Sequence, residues 1–103
     1  MLAAFSVSPL GTSESVGDVV AGVVRLVRDS GLPNETTAMF TTVEGEPAEV
    51  FALLQRCIEY TAEHAPRVSV TAKFDHRPGH DGQLRGKVER VEAVLDAGDD
   101  PPR

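Results

Sequence analysis

Apolar residues alternate with polar or small residues in two segments, one at the start of the chain and one after its middle. In residues 2–8, one side of an extended chain would carry Ala3, Phe5 and Val7. In residues 67–74, the inward positions would be Val68, Val70, Ala72 and Phe74. Successive side chains of a strand point to opposite faces. Both segments therefore predict strands, with an apolar face turned inward and a more polar face turned away.

Three other segments have apolar residues at helical spacing. Residues 13–30 predict a first helix, with one stripe formed by Val16, Val19, Val20, Val23, Val24 and Val27. Residues 47–64 predict a second, which starts at Pro47, a residue suited to the first helical position. Its inner stripe would consist of Val50, Leu54, Cys57, Ile58 and Thr61. Residues 83–95 predict a last helix, with an apolar side formed by Leu84, Val88, Val91 and Leu95.

Residues 34–44 are rich in threonine and apolar residues, and they predict either one long strand or two short antiparallel strands with a bend near Ala38 and Met39. The order of elements is then β-α-β-β-α-β followed by a helix. This order predicts the α+β class, with a ferredoxin-like βαββαβ sandwich and an added C-terminal helix. We expect a single domain over residues 1–96, and a disordered tail over residues 97–103 because of its Gly, Asp and Pro content.

Composition and charge narrow the possible partners. The chain has 16 acidic and 10 basic residues and a formal net charge of −6. This charge argues against a nucleic-acid partner and against an anionic membrane surface, both of which favour basic proteins. Without a signal-peptide pattern or an apolar stretch of about 20 residues, the chain is expected to be cytoplasmic. Its one cysteine, Cys57, excludes an intrachain disulfide and is interpreted as a small buried apolar residue.

Residues 75–82 predict a loop that contains His76 and His80, each beside an aspartate in sequence. Their spacing is loose, and a zinc site needs three or four convergent ligands, so we assign no metal site. Nor does the sequence show a nucleophile with a base beside it, a phosphate-binding glycine loop or a paired set of acid–base residues. We therefore assign no catalytic residue, no cofactor and no enzymatic activity.

Four sequence blocks together resemble the thiamine-binding protein family, relatives of the YkoF-type proteins. The match extends over nearly the whole chain, to about Leu95, and the blocks are Ser6–Thr12, Thr41–Gly45, Arg67–Asp75 and Lys87–Val91. The resemblance implies a ferredoxin-like fold, self-association into dimers or tetramers, and non-catalytic binding of thiamine or its hydroxymethylpyrimidine part. The Pro-Gly-His-Asp-Gly stretch departs from the family pattern, as does Asn34, where an aromatic residue is expected in many relatives.

An aminopyrimidine offers ring-nitrogen acceptors and an amino donor, which hydroxyl groups and one carboxylate can satisfy. The candidate ligand-binding residues lie on or near strands that should adjoin, and they are Ser6, Ser8, Asn34, Thr37, Thr42 and Glu44. Glu44 would accept a hydrogen bond from the pyrimidine. Two alternatives remain: a structural or interaction domain whose polar sheet face packs on a partner subunit, and a small enzyme of cofactor salvage.

Overall fold

The computed structural model describes residues 1–98. Of the predicted tail, Ala97 and Gly98 form a turn after the last helix, and residues 99–103 lie outside the described residues. The elements are β1 (Leu2–Leu10), α1 (Val16–Asp29), β2 (Asn34–Thr36), β3 (Thr41–Glu44), α2 (Pro47–His64), β4 (Arg67–Asp75) and α3 (Gln83–Asp96). The segment 34–44 thus forms two short strands rather than one long one.

The four strands form one antiparallel sheet in the order β2-β3-β1-β4. Together with two helices on one face of the sheet, this order confirms the ferredoxin-like α+β fold with an added C-terminal helix. β1 is central, and it pairs with β4 along its whole length, from Leu2 opposite Asp75 to Leu10 opposite Arg67. Its pairing with β3 is shorter and ends where Phe5 lies opposite Thr41.

The core lies between the sheet and helices α1 and α2. Its largest fully buried side chains include Phe5 of β1, Val27 of α1 and Leu53 of α2. The predicted inward side of β1 is confirmed, because Ala3, Phe5 and Val7 are all buried. The cluster is completed by residues at helical spacing on both helices and by Val43 of β3, and its members outside β1 are Val23, Val27, Val43, Val50, Leu53, Leu54 and Cys57.

Two expectations about burial were wrong. Val70 and Phe74 of β4 remain 38% exposed, although they are on the face that meets the helices. The reason is that β4 is an edge strand, which α2 covers only in part; the ring of Phe51 reaches that of Phe74 at 5.0 Å between centroids. On α1, Val16 and Val20 are likewise 54% and 39% exposed.

α3 extends from the rest of the domain. None of its residues is buried, and Val88, Val91, Val94 and Leu95 are all more than half exposed. The radius of gyration is 16.3 Å, whereas a compact domain of this length has about 13 Å. The predicted apolar side of α3 is therefore present, but among the described residues only Leu84 at its start is partly buried, whereas Val88, Val91 and Leu95 are exposed.

Candidate ligand-binding site

A cleft of about 220 Å³ opens where β1 continues beyond the end of β3. One wall is the edge of β1 from Phe5 to Ser8, the second is the turn that joins β2 to β3, and the third is one side of α1. The cleft exists because β3 begins only at Thr41, so residues 37–40 leave the sheet instead of continuing along β1.

The cleft has apolar sides and a polar rim. Val20, Val23 and Val24 come from α1, and Met39 and Phe40 come from the turn. Thr37 holds this turn in place: its main-chain N–H donates to the Phe40 carbonyl at 2.9 Å, and its hydroxyl donates to the same oxygen at 3.1 Å. An apolar cleft with a few fixed polar groups is the usual form of a small-molecule site, although this one is smaller than the roughly 300–1,000 Å³ of drug-sized sites. Its volume suits a single ring better than a whole large ligand.

The six candidate residues do not lie together. Ser6, Ser8 and Thr37 line the cleft. Asn34 pairs with Val43, and its side-chain amide donates to the Leu32 carbonyl at 2.9 Å. Thr42 and Glu44 pair with Ala4 and Leu2, so their side chains lie on the sheet face away from α1 and α2, and neither residue lines the cleft. By the same alternation, the side chains of Ser6 and Ser8 project from this polar face, so these two residues border the cleft at the edge of β1.

The carboxylate of Glu44 already has hydrogen-bond partners within the protein. It is only 8% exposed, and its carboxylate accepts hydrogen bonds from the main-chain N–H groups of Gln83 at 2.8 Å and Leu84 at 3.2 Å. A smaller cavity of about 150 Å³ lies beside it, and its polar lining also includes Asp75, Arg77, His80, Lys87 and Arg90. The Lys87 ammonium donates to Asp75, and this bond lowers the pKa of the Asp75 carboxyl. Both contacts hold the start of α3 against the sheet.

The histidines lie in separate surroundings. The His64 ring contacts the carboxylate of Glu14 through Nδ1 at 2.8 Å, and the His80 ring contacts the Pro78 carbonyl within its own loop. Over residues 1–98, no group of three or more His, Cys, Asp or Glu side chains is arranged to hold a metal ion. Within the same range, no helix combines the length and apolar character needed to cross a bilayer.

Sequence reasoning identified Ser6, Ser8 and Thr37 as candidates but missed most of the other residues that line this cleft. Val20 and Val24 were predicted to face the core, and Met39 and Phe40 were considered only as part of the strand segment 34–44, with a bend near Ala38 and Met39. One signal was available: Pro9 stands inside a strand, where proline is tolerated only if its missing N–H faces a side without a ladder partner. That residue indicates that β1 is unpaired on one side near its end.

Comparisons with known proteins agree with this fold. A family model described as thiamine-binding protein matches residues 3–92. A UPF0045 protein of Mycobacterium tuberculosis is 53% identical over 96 residues, which cover 92% of this chain and 94% of that protein. A UPF0045 protein of Synechocystis is 35% identical over 91 residues, which cover 87% of this chain and 75% of that protein.

Solved structures of other proteins share this fold. A Bacillus cereus domain of unknown function, DUF77, superposes with a TM-score of 0.80 at 29% identity, covering 86% of each chain. A Thermotoga maritima protein assigned provisionally to thiamine biosynthesis or salvage superposes with a TM-score of 0.76 at 21% identity, covering 87% of this chain and 96% of that one. At that identity, the second likeness supports the fold alone.

Proposed function

The chain belongs to the thiamine-binding protein family, and on that premise we propose that it binds thiamine, or its hydroxymethylpyrimidine part, without transforming it. The observation that carries the proposal is the cleft beside β1. It is the place where apolar surface for a ring and polar groups for its edge occur together. Three of the candidate residues, Ser6, Ser8 and Thr37, line it. In this proposal, the other three, Asn34, Thr42 and Glu44, support the fold around the site.

The chemistry of the cleft suits an unphosphorylated ligand. In the described part of the chain, the residues that line the cleft carry no charged side chain, and the protein has a formal net charge of −6. A phosphate or diphosphate group would require basic side chains or a cluster of free main-chain N–H groups. A cationic thiazolium ring that extends from the cleft toward solvent would instead be attracted by the negative electrostatic potential of this acidic protein. Thiamine is therefore favoured over its diphosphate.

The same lining supports binding without catalysis. General acid–base chemistry needs a titratable side chain within hydrogen-bond reach of the reacting group. The described lining residues of the cleft include Ser6, Ser8 and Thr37, but none of them is a histidine, a cysteine or a carboxylate. A carrier, buffer or sensor of the ligand fits these surroundings better than an enzyme.

We further propose that two or more copies associate. β4 is a nine-residue edge strand, and an edge strand presents unpaired main-chain groups that another chain can bind. Val70 and Phe74 add exposed apolar surface along it, and α3 carries a second exposed apolar stripe. A chain of 103 residues also has a modest core, so burying these surfaces in a second copy would stabilise it.

Titration calorimetry with thiamine and with hydroxymethylpyrimidine tests the ligand. Both should release or absorb heat on binding, and the absence of any heat up to millimolar ligand would refute the proposed function. The position of the site is tested by Val20→Trp, which fills the cleft from α1 and should abolish binding. Val16→Trp is the matched control, because Val16 is on the same helix, is 54% exposed and does not line the cleft.

A further inference from the structure

The alternation of hydrogen bonds along β1 determines which main-chain groups face the cleft. Met1 and Gly45 form a reciprocal pair, in which the Met1 nitrogen donates to the Gly45 carbonyl at 2.8 Å and Gly45 N–H donates to the Met1 carbonyl at 3.1 Å. In an antiparallel ladder, such pairs occur at every second residue. Counting from Met1, the next residues of β1 that direct their N–H and C=O toward β3 are therefore Ala3, opposite Val43, and Phe5, opposite Thr41.

The next residue in this series is Val7, and β3 has ended before reaching it. The register places no β3 residue opposite Val7, because the last pair is Phe5 with Thr41. Phe40, the residue before Thr41, directs its carbonyl to Thr37 instead. The pairing of β1 with β4 has no break, so the even-numbered residues of β1 bond to β4 and the Val7 groups remain directed at the cleft.

Pro9 supports this assignment independently. It is the following residue in the same series, and a proline there removes no ladder bond, since its nitrogen would face the side that β3 does not reach. If the alternation were the opposite one, Pro9 would remove a bond to β4 within the longest strand pair in the sheet, where Pro9 lies opposite Val68.

We infer that the main-chain N–H and C=O of Val7 bind the edge of the ligand's aminopyrimidine ring; this inference rests on the function proposed above. Val7 lines the cleft, and its N–H and C=O are directed there with no β3 residue opposite, so a bound ligand would meet main-chain groups that need a hydrogen-bond partner. The N–H would donate to a ring nitrogen, and the C=O would accept from the adjacent amino group. The ring thus takes the position that a continued β3 would have occupied, between the valines of α1 and Phe40.

This geometry makes the site selective for the order of donor and acceptor on the pyrimidine. A 4-oxo analogue of the ligand has a carbonyl in place of the amino group and an N–H in place of the ring acceptor. In the same pose, both of its groups would oppose like groups of Val7, which leaves buried polar atoms unpaired. The site would therefore reject the oxo compound although its shape is nearly unchanged.

The first experiment compares hydroxymethylpyrimidine with its 4-oxo counterpart by calorimetry. We expect the dissociation constant of the oxo compound to be at least tenfold larger. Equal affinities would overturn the role of Val7 while leaving thiamine binding intact. Absence of binding by thiamine and by both pyrimidines would instead refute the proposed function, so the two failures can be told apart.

The second experiment follows two neighbouring amides by hydrogen exchange in the nitrogen-15 NMR spectrum. On addition of hydroxymethylpyrimidine, exchange of the Val7 amide should slow at least tenfold. The Ser8 amide is the internal control, because it bonds to β4 and should change little beyond the overall stabilisation. Equal changes at both amides would contradict a direct bond from Val7.

Discussion

The carboxylate of Glu44, at the end of β3, accepts a hydrogen bond at 2.8 Å from the main-chain N–H of Gln83, the first residue of α3. Its other oxygen accepts from Leu84 at 3.2 Å. The residue before the helix is Gly82, which has no side chain to serve as a cap. A distant carboxylate therefore satisfies two of the free N–H groups at the helix start and places negative charge at the positive end of its dipole.

Replacing Glu44 by alanine should loosen α3. The loss of a capping carboxylate costs about 1–2 kcal/mol, so the amides of α3 should exchange roughly tenfold faster while those of β1 change less. Glu35→Ala is the control, because Glu35 is an exposed carboxylate in the neighbouring β2. Thiamine affinity should stay the same in both variants. A selective loss of affinity in Glu44→Ala, with α3 unchanged, would instead assign Glu44 to the ligand.

Glu44 also illustrates what the sequence could and could not predict. The elements were predictable, because apolar periodicity records which side of each strand or helix is buried. The partner of Glu44 was not, because it lies 39 residues away along the chain. Likewise, the alternation in β4 is the same for a central and an edge strand, so the exposure of Val70 follows only from strand order. The cleft depends on the residue at which β3 begins, which composition does not determine.

Gly22 of α1 lies directly against the side chain of Tyr60 on α2. A Cβ atom added there would lie 1.9 Å from the Tyr60 hydroxyl oxygen and 2.3 Å from its ring, so Tyr60 would have to move. Tyr60 is packed against the His64 ring at 4.8 Å between centroids, which limits that movement. Gly22→Ala should therefore lower the free energy of unfolding by about 1–3 kcal/mol, as overpacked sites do, even though alanine favours the helix.

Gly17→Ala is the matched control for this prediction. Gly17 is in the first turn of the same helix, and its nearest added contact would be the Ser15 hydroxyl at 3.7 Å. The substitution should raise the unfolding free energy by about 0.5–1 kcal/mol through helix propensity alone. Urea denaturation of both variants measures the difference. Two changes of the same sign would contradict a close contact at Gly22.

Burial raises the pKa of the Cys57 thiol to about 11. The thiolate is the reactive form, so a thiol reagent at pH 8 should label the native protein far more slowly than the protein in urea.

The raised pKa of Cys57 also makes the free energy of unfolding depend on pH. Below pH 9 the thiol is protonated in both states, whereas between pH 9 and about 11 only the unfolded chain loses its proton, so stability should fall as pH rises. Cys57→Ala should remove that part of the pH dependence, and rapid native-state labelling would contradict the burial.

The outer edge of β4 can be tested with one main-chain change. The even-numbered residues of β1 form hydrogen-bonded pairs with the odd-numbered residues of β4. The even-numbered residues of β4, including Ala72, therefore direct their N–H groups away from β1, toward the free edge of the sheet. Ala72→Pro deletes one outward N–H without removing a bond to β1. If copies associate through this edge, the variant should sediment as a smaller species than the wild type, while its far-ultraviolet circular dichroism remains that of the folded protein. Ala72→Ser keeps the N–H and should associate normally.

Two outcomes would contradict this prediction. A wild type that is monomeric at tens of micromolar would refute self-association. An unchanged oligomer of Ala72→Pro would exclude the β4 edge as the contact and leave the apolar stripe on α3 to be tested.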